Sequence, residues 1–390
     1  PDHITLTWTK DPRTTQTITW RTDTTVTAGQ VRFYEIANDT LPLPPILIVT
    51  ASTGLLETPT GNMNIHSATL NGLMPGKRYR YQVGDGKTWS GDFSFATEPL
   101  TADSFKFLVF GDSQSVDYGV WRTTLHRAYR ANSDAVFFTN VGDLVDVGQD
   151  YMEWEAWFAA ASGVVENLRI MPVTGNHENY TPERVFSRPE FFLAQFMLPD
   201  NGPAGLKRQV YSFDYGDVHF VMLDSQEGEQ RNFTPDMLGR QREWLAADLA
   251  ATQKKWKLAF IHRPLYGNKP NGVNENIRQA FAPIFDQYNV DLVLTAHDHV
   301  VARTFPLYNG EVIEAPYRGT IYAATGRSGT KTYTNVSAKE WNAFFYNPVE
   351  EPTYLVVSVN GGKLQVKAFT QSGELIDEWA IDKAPVKPES

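Results

Sequence analysis

Beyond residue 104 the chain is organised around short apolar runs that do not alternate: Phe105–Phe110, Ala135–Thr139, Ile170–Thr174, Lys257–Ile261 and Val290–Thr295. Such runs suit strands buried on both faces, because a strand with one wet face alternates apolar and polar residues. Helical patterns separate several of them, at about residues 116–131, 150–161, 236–252 and 274–288. The stretch Arg240–Leu249 is the cleanest amphipathic helix. Strand and helix in alternation imply layered α/β architecture.

Each run ends in a short polar motif. They are Gly111-Asp112-Ser113-Gln114, Gly142-Asp143-Leu144-Val145-Asp146, Gly175-Asn176-His177-Glu178, His262-Arg263-Pro264 and Ala296-His297-Asp298-His299. In open α/β sheets, groups at the carboxyl ends of strands converge in one crevice. Five patches distant in sequence are therefore expected to form one site. The glycines at 111, 142 and 175 fit tight turns that swing a side chain towards a shared point.

Residues 1–97 read as all-β. Ile4-Thr5-Leu6-Thr7-Trp8 and Thr17–Thr22 alternate with period two, and further strands are expected at Gln30–Tyr34, Ser67–Leu70, Arg78–Val83 and Asp92–Thr97. Turn signals lie between them at Met74-Pro75-Gly76 and Gly84-Asp85-Gly86. This spacing suggests a sandwich. The whole chain of 390 residues exceeds the usual size of one core. Two domains are expected, 1–97 and 105–390, with Glu98–Ser104 as linker. Residues 181–209, rich in Pro, Gly and polar groups, look like an insertion near the site.

A net charge of −10 argues against a nucleic-acid or anionic-membrane partner, because phosphate backbones demand clustered Lys and Arg. It leaves room for a small phosphate ester, since bound cations supply positive charge locally. There are no cysteines, so disulfides, thiolate metal sites and cysteine nucleophiles are excluded together. No apolar stretch approaches the ~20 residues of a membrane span. The numbering begins at Pro1, so any export signal is expected to be gone already.

The motifs supply carboxylate, amide oxygen and imidazole with no sulfur, a set that suits manganese, iron or zinc. A carboxylate bridging two ions about 3.5–4 Å apart would clamp the attacking and leaving oxygens of a phosphoryl transfer. A hydroxide between the ions would then be the nucleophile, and no serine or cysteine is needed.

The Trp20 strand, the Leu70–Gly76 turn and the Tyr79-Arg80-Tyr81 strand resemble a fibronectin type III domain, like that preceding the catalytic domain of purple acid phosphatases. The five motifs, in their order, resemble the calcineurin-like metallophosphoesterases, and with the first domain the purple acid phosphatase branch. The resemblance implies an N-terminal all-β sandwich followed by an α/β (α+β) four-layer domain, a β-sandwich core flanked by helices. It implies two metal ions, Asp112 and His299 on the first, Asn176, His262 and His297 on the second, and Asp143 bridging. His177 is then the expected general acid, acting on the leaving group.

Two departures from the family pattern concern the first metal. Many members have His two residues after the first aspartate, where this chain has Gln114. Purple acid phosphatases supply a colour-giving tyrosine three residues after the bridging aspartate, where this chain has Asp146. Gln114 reads equally as a ligand or as a polar neighbour. Asp146 either holds His177 in one tautomer, the preferred reading, or ligates the first metal. The expected enzyme is a phosphatase that is not purple. Ala296 stands where glycine is usual, a mild departure.

Arg263, Tyr266, Tyr180 and Arg327 are placed to line the pocket and contact substrate. His3, His66, His126 and His219 read as structural, with His66 an outside candidate for the cleft. The spacing of Tyr151, Trp154, Trp157 and Phe158 suits helix packing. The resulting expectation is hydrolysis of a phosphate monoester by a secreted, periplasmic or cell-surface enzyme, the location following from the resemblance. The alternatives are a phosphodiesterase or nucleotidase on the same scaffold, or a cell-surface binding protein with a weakened metal site.

Overall fold

The computed structural model describes residues 1–36, 45–314 and 319–383. The first part is a sandwich of two four-stranded sheets. One runs in the order Asp2–Thr7, Gln16–Asp23, Met63–Leu70, Ser52–Leu56, the other Leu47–Thr50, Gln30–Glu35, Arg78–Gly84, Phe93–Ala96. All pairings are antiparallel. The inward residues of the alternating strands, among them Leu6, Ile18, Trp20, Val31, Phe33, Tyr81 and Val83, make one core.

From Ser104 onward two larger sheets stack face to face. Six strands take the order Arg169–Ile170, Phe137–Asn140, Ser104–Phe110, Thr353–Asn360, Lys363–Thr370, Leu375–Asp382. Seven take the order Tyr211–Tyr215, Val218–Leu223, Trp256–Ile261, Leu292–Thr295, Ile321–Thr325, Val301–Thr304, Asn342–Tyr346. Phe107 stacks on Phe137 at 4.7 Å and meets Phe220 of the facing sheet edge-on at 5.4 Å. Phe220, Leu258 and Leu292 point into this central core. Their neighbours Val221, Ala259 and Val293 point the other way, into a second core under the helices Met237–Ala251 and Glu275–Tyr288. Both faces of these strands are therefore buried, which is why their sequences do not alternate.

On the outer face of the six-stranded sheet lie helices Tyr118–Ala131 and Tyr151–Ala161. The Trp121 ring meets Phe110 edge-on at 5.2 Å. The result is four layers, helices outside and two sheets within, as the family resemblance implied. The stretch 181–209 is irregular apart from helix Glu190–Gln195, yet Phe191, Phe192 and Phe196 are buried, Phe191 against Tyr151 and Phe196 against Trp154, Trp157 and Phe158 of the helix Tyr151–Ala161. The sandwich and the larger sheets are joined by direct bonds: Tyr81 Oη donates to the Glu166 carbonyl at 2.7 Å, and Arg169 Nε to Gln16 Oε1 at 2.8 Å.

Candidate metal centre

The strand ends set the backbone before any side chain acts. Asp112, Asp143, His297 and His299 all have φ between 51° and 68°, in the left-handed region. Only ten non-glycine residues among those described do so. Such a conformation costs roughly 1 kcal/mol or more per residue, and it concentrates at functional sites. Gly142, at φ 86°, precedes one of these turns. A Cβ there would lie 2.5 Å from His262 Nδ1.

Glu178 ties two of the turns together. It is wholly buried and accepts from the backbone N–H of Asp143 at 2.9 Å, Leu144 at 2.7 Å and Gly175 at 2.6 Å. Burial, reinforced by the Asp143 charge, pushes its carboxyl up to about 7 against the pull of those donors.

Six side chains then converge. His262 Nε2 has Asp143 Oδ2, Asn176 Oδ1 and His297 Nδ1 all at 3.2 Å. Its Nδ1 faces the Val141 carbonyl at 2.8 Å, which fixes the tautomer. One ring nitrogen cannot satisfy three neighbours by hydrogen bonding. Ligand atoms about 2.0–2.2 Å from one ion, however, stand about 3.0–3.6 Å from each other. The ligating atoms of Asp143, His262 and His297 all lie within 4.8 Å of one another.

A second grouping sits beside it. His299 Nε2 lies 3.2 Å from Asp112 Oδ1, and His299 Nδ1 meets the Lys331 carbonyl at 2.7 Å. Asp112 Oδ1 and Gln114 Oε1 are buried with no hydrogen-bond partner. Gln114 Nε2 donates to Asp143 Oδ2 at 3.3 Å, so Asp143 touches both groupings. Orphaned buried acceptors and an all-oxygen-and-nitrogen donor set fit a pair of cations.

Charge follows from this packing. Burial raises Asp143, but the surrounding histidines hold it well below the usual carboxylate range. Burial, with His262, Lys269 and Arg263 nearby, drives His297 well below its ordinary value. It therefore stays a neutral imidazole, the form that binds metal.

His177 hangs over this centre. Its Nδ1 faces the Asp146 carbonyl at 2.6 Å and the Asp146 carboxylate at 3.1 Å, while Nε2 points towards Asp143 Oδ2 at 3.8 Å. Burial opposes the charged ring, yet Asp143 and Asp146 carry it up to about 9. The Asp146 carboxylate also binds Arg184 Nη2 at 2.6 Å.

Of the residues expected to line the pocket, Tyr180 meets the His177 ring edge-on at 5.3 Å. Arg263 stands close by but is paired with Glu229, its Nη1 on Oε2 at 2.9 Å. Tyr266 turns into the second core, its ring 4.8 Å from Tyr322. Arg327 is buried, and its three guanidinium nitrogens donate to the carbonyls of Pro348, Gly329 and Val349. Neither Tyr266 nor Arg327 is free to grip a substrate, because each spends its polar or apolar surface on the protein. His66 is buried between Thr22 and Thr53 in the sandwich, and His3 stacks on Phe158 at 4.2 Å. His126 faces the Ala160 carbonyl, and His219 bridges Asp214 and Asp248.

Four residues beside the centre escaped the sequence reading: Arg184, Lys269, Lys331 and Tyr333. The Tyr333 ring packs on His299 at 4.5 Å between centroids. Lys331 Nζ lies 3.0 Å from His177 Nε2, and Lys269 Nζ donates to the His297 carbonyl at 2.9 Å. The only signal was proximity to motifs already noted, Lys331 following Gly326–Gly329 closely.

Residues 105–301 match the calcineurin-like phosphoesterase family, and residues 1–97 match the purple acid phosphatase N-terminal domain. Acid phosphatase type 7 of Homo sapiens is 27% identical, over 98% of this chain and 91% of that protein. Purple acid phosphatase 23 of Arabidopsis thaliana is 26% identical, over 76% of this chain and 70% of that protein. The structure of a purple acid phosphatase from yellow lupin, Lupinus luteus, superposes with a TM-score of 0.80 at 18% identity, covering 97% of this chain and 74% of that one. Both families use a dinuclear metal centre, and the donors converging here are spaced for one. The family pattern spans the strands that carry all six donors, so the chain belongs to the calcineurin-like phosphoesterases and is a metal-dependent hydrolase of phosphate esters.

Proposed function

We propose that the chain hydrolyses phosphate monoesters, with Asp112 and His299 on one ion, Asn176, His262 and His297 on the other, and Asp143 shared. The observation that carries this reading is the approach of Asp143, Asn176 and His297 to one atom, His262 Nε2, each at 3.2 Å. The two ions, of iron, manganese or zinc, would supply the positive charge and the activated water for attack at phosphorus.

The chain's own residues do the rest. Asp146 holds the proton of His177 on Nδ1 and orients the ring, leaving Nε2 over the shared Asp143 carboxylate. From there Nε2 carries the proton that the leaving oxygen needs. Burial of Asp112, Asp143 and His262 excludes bulk water from the ligand atoms and strengthens every charge interaction at the centre. No tyrosine follows Asp143 at the family position, so the reading includes an enzyme without a phenolate ligand. We also place the enzyme outside the cytoplasm on family likeness; no helix among the described residues is long and apolar enough to cross a membrane.

The test is turnover of p-nitrophenyl phosphate against bis(p-nitrophenyl) phosphate by protein loaded with manganese, zinc or iron. Faster turnover of the monoester and two bound ions per chain are expected. Asp143→Asn and His177→Ala should each remove most of the activity. Preference for the diester would replace this reading with the phosphodiesterase one.

A further inference from the structure

Two ammonium groups stand over the metal centre of a chain whose net charge is −10. Lys331 comes from the segment after strand Ile321–Thr325, beyond the residues that match the catalytic family. Lys269 comes from the loop after His262. Both approach one ring, Tyr333, with Lys269 Nζ 4.3 Å and Lys331 Nζ 5.9 Å from its centroid. That ring itself packs against the candidate ligand His299.

Among the described residues the carboxylate partners of the two lysines are few and distant. Lys331 Nζ has Asp146 Oδ1 at 3.9 Å, on a carboxylate already engaged by His177 at Oδ1 and by Arg184 at Oδ2. Lys269 Nζ has Asp298 Oδ1 at 3.8 Å and the His297 carbonyl at 2.9 Å. Both side chains remain partly open to solvent, about a third exposed for Lys331 and a quarter for Lys269. Cations gathered this closely, with carboxylates held beyond good contact distance, form a place where an anion is favoured.

The contact that decides the role of Lys331 is the one at 3.0 Å to His177 Nε2. This is the nitrogen that must face a leaving oxygen, and Lys331 Nζ stands against it, an arrangement that becomes repulsive once Nε2 carries the proton. For His177 to reach an ester, Lys331 has to move aside. The incoming anion is what it can move towards.

We propose that Lys331 is a substrate-contacting residue that passes from His177 Nε2 to a phosphoryl oxygen as the ester enters, while Lys269, also against Tyr333, meets a second anionic group. The pocket then selects polyanionic phosphate compounds, with negative charge close to the scissile phosphate, over esters of neutral alcohols. This rests on the phosphate-ester reading above. Charge-assisted hydrogen bonds of this kind govern both affinity and orientation of phosphate.

The test is calorimetric titration of inorganic phosphate and of pyrophosphate into manganese-loaded protein, beside the kinetics of p-nitrophenyl phosphate. Lys331→Ala and Lys331→Gln should weaken phosphate roughly tenfold or more and raise KM by more than they lower kcat, with bound manganese unchanged. Lys331→Arg should recover most of the loss. Lys269→Ala should weaken pyrophosphate by more than it weakens phosphate. Phosphate affinity and KM indifferent to Lys331 would overturn the assignment while leaving the hydrolase intact, and so would a wild-type protein that binds no phosphate. Phosphate binding that depends on Lys331 in a protein that turns over no monoester would instead retain the assignment and remove the proposed reaction.

Discussion

His177 and Asp146 meet twice, through the Asp146 backbone carbonyl at 2.6 Å from Nδ1 and through its carboxylate at 3.1 Å. The carbonyl contact persists whatever replaces the side chain, so the carboxylate adds charge rather than the tautomer alone. Asp146→Asn should lower kcat by about 10–100-fold, the range seen when a carboxylate partner of a functional imidazole is removed. Elemental analysis should still find both ions. Loss of one ion would make Asp146 a ligand of the first metal.

Gly142 is replaceable by nothing larger. Its φ of 86° and the 2.5 Å that would separate an added methyl from His262 Nδ1 act together. Gly142→Ala should displace His262 and reduce metal affinity by at least about tenfold, read by competition with a chelator. Circular dichroism of the metal-free protein should change little, because the strands on either side are held by the sheets.

His219 offers a pH effect remote from the centre. Burial disfavours its charged form, but Asp214 and Asp248, each 2.7 Å away, carry it up to about 9; Lys254 stands 3.9 Å from Asp214. A histidine raised on folding stabilises fully below its unfolded value near 6.5, and the contribution is lost as pH rises through 9. Unfolding free energy from denaturant titration should fall by about 2–3 kcal/mol across that window. His219→Gln should flatten the curve.

The iron-loaded protein should lack the visible band of a tyrosinate–iron complex. Asp146 stands at the family's tyrosine position and is engaged by His177 and Arg184. An absorption spectrum of the reconstituted protein checks this, and such a band would point to Tyr333, the phenol packed on His299.

What could be read beforehand was what the chain encodes locally. Asp112, Asp143, Asn176 and His297 each sit a few residues past an apolar run, so strand geometry alone carries them to a common edge. The four long helices were legible from periodicity to within two residues, as with Met237–Ala251 against 236–252, while the short Glu190–Gln195 and Glu227–Gln230 carry too few turns to show a period. Strands Leu47–Thr50 and Ser52–Leu56 passed unnoticed because they lie at sheet edges with most side chains in solvent, leaving no buried face to impose a pattern. Lys331 and Lys269 could not be found in advance, since nothing in their neighbours states where a long loop returns. Arg327 and Tyr266 misled for the same reason: closeness in sequence to a motif says nothing about which way a side chain turns.

The left-handed turns at Asp112, Asp143, His297 and His299 bear on how the protein takes up its ions. Three of them are held by bonds within the protein: the Asp143 N–H donates to Glu178, the Asp112 N–H to the Gly142 carbonyl, and the His297 N–H to Asp112 Oδ2. The chain's own bonds thus set the positions of the donors, with little left for a cation to rearrange. The backbone at these four positions should then keep one shape whichever transition ion it holds, a single scaffold serving manganese, zinc or iron alike.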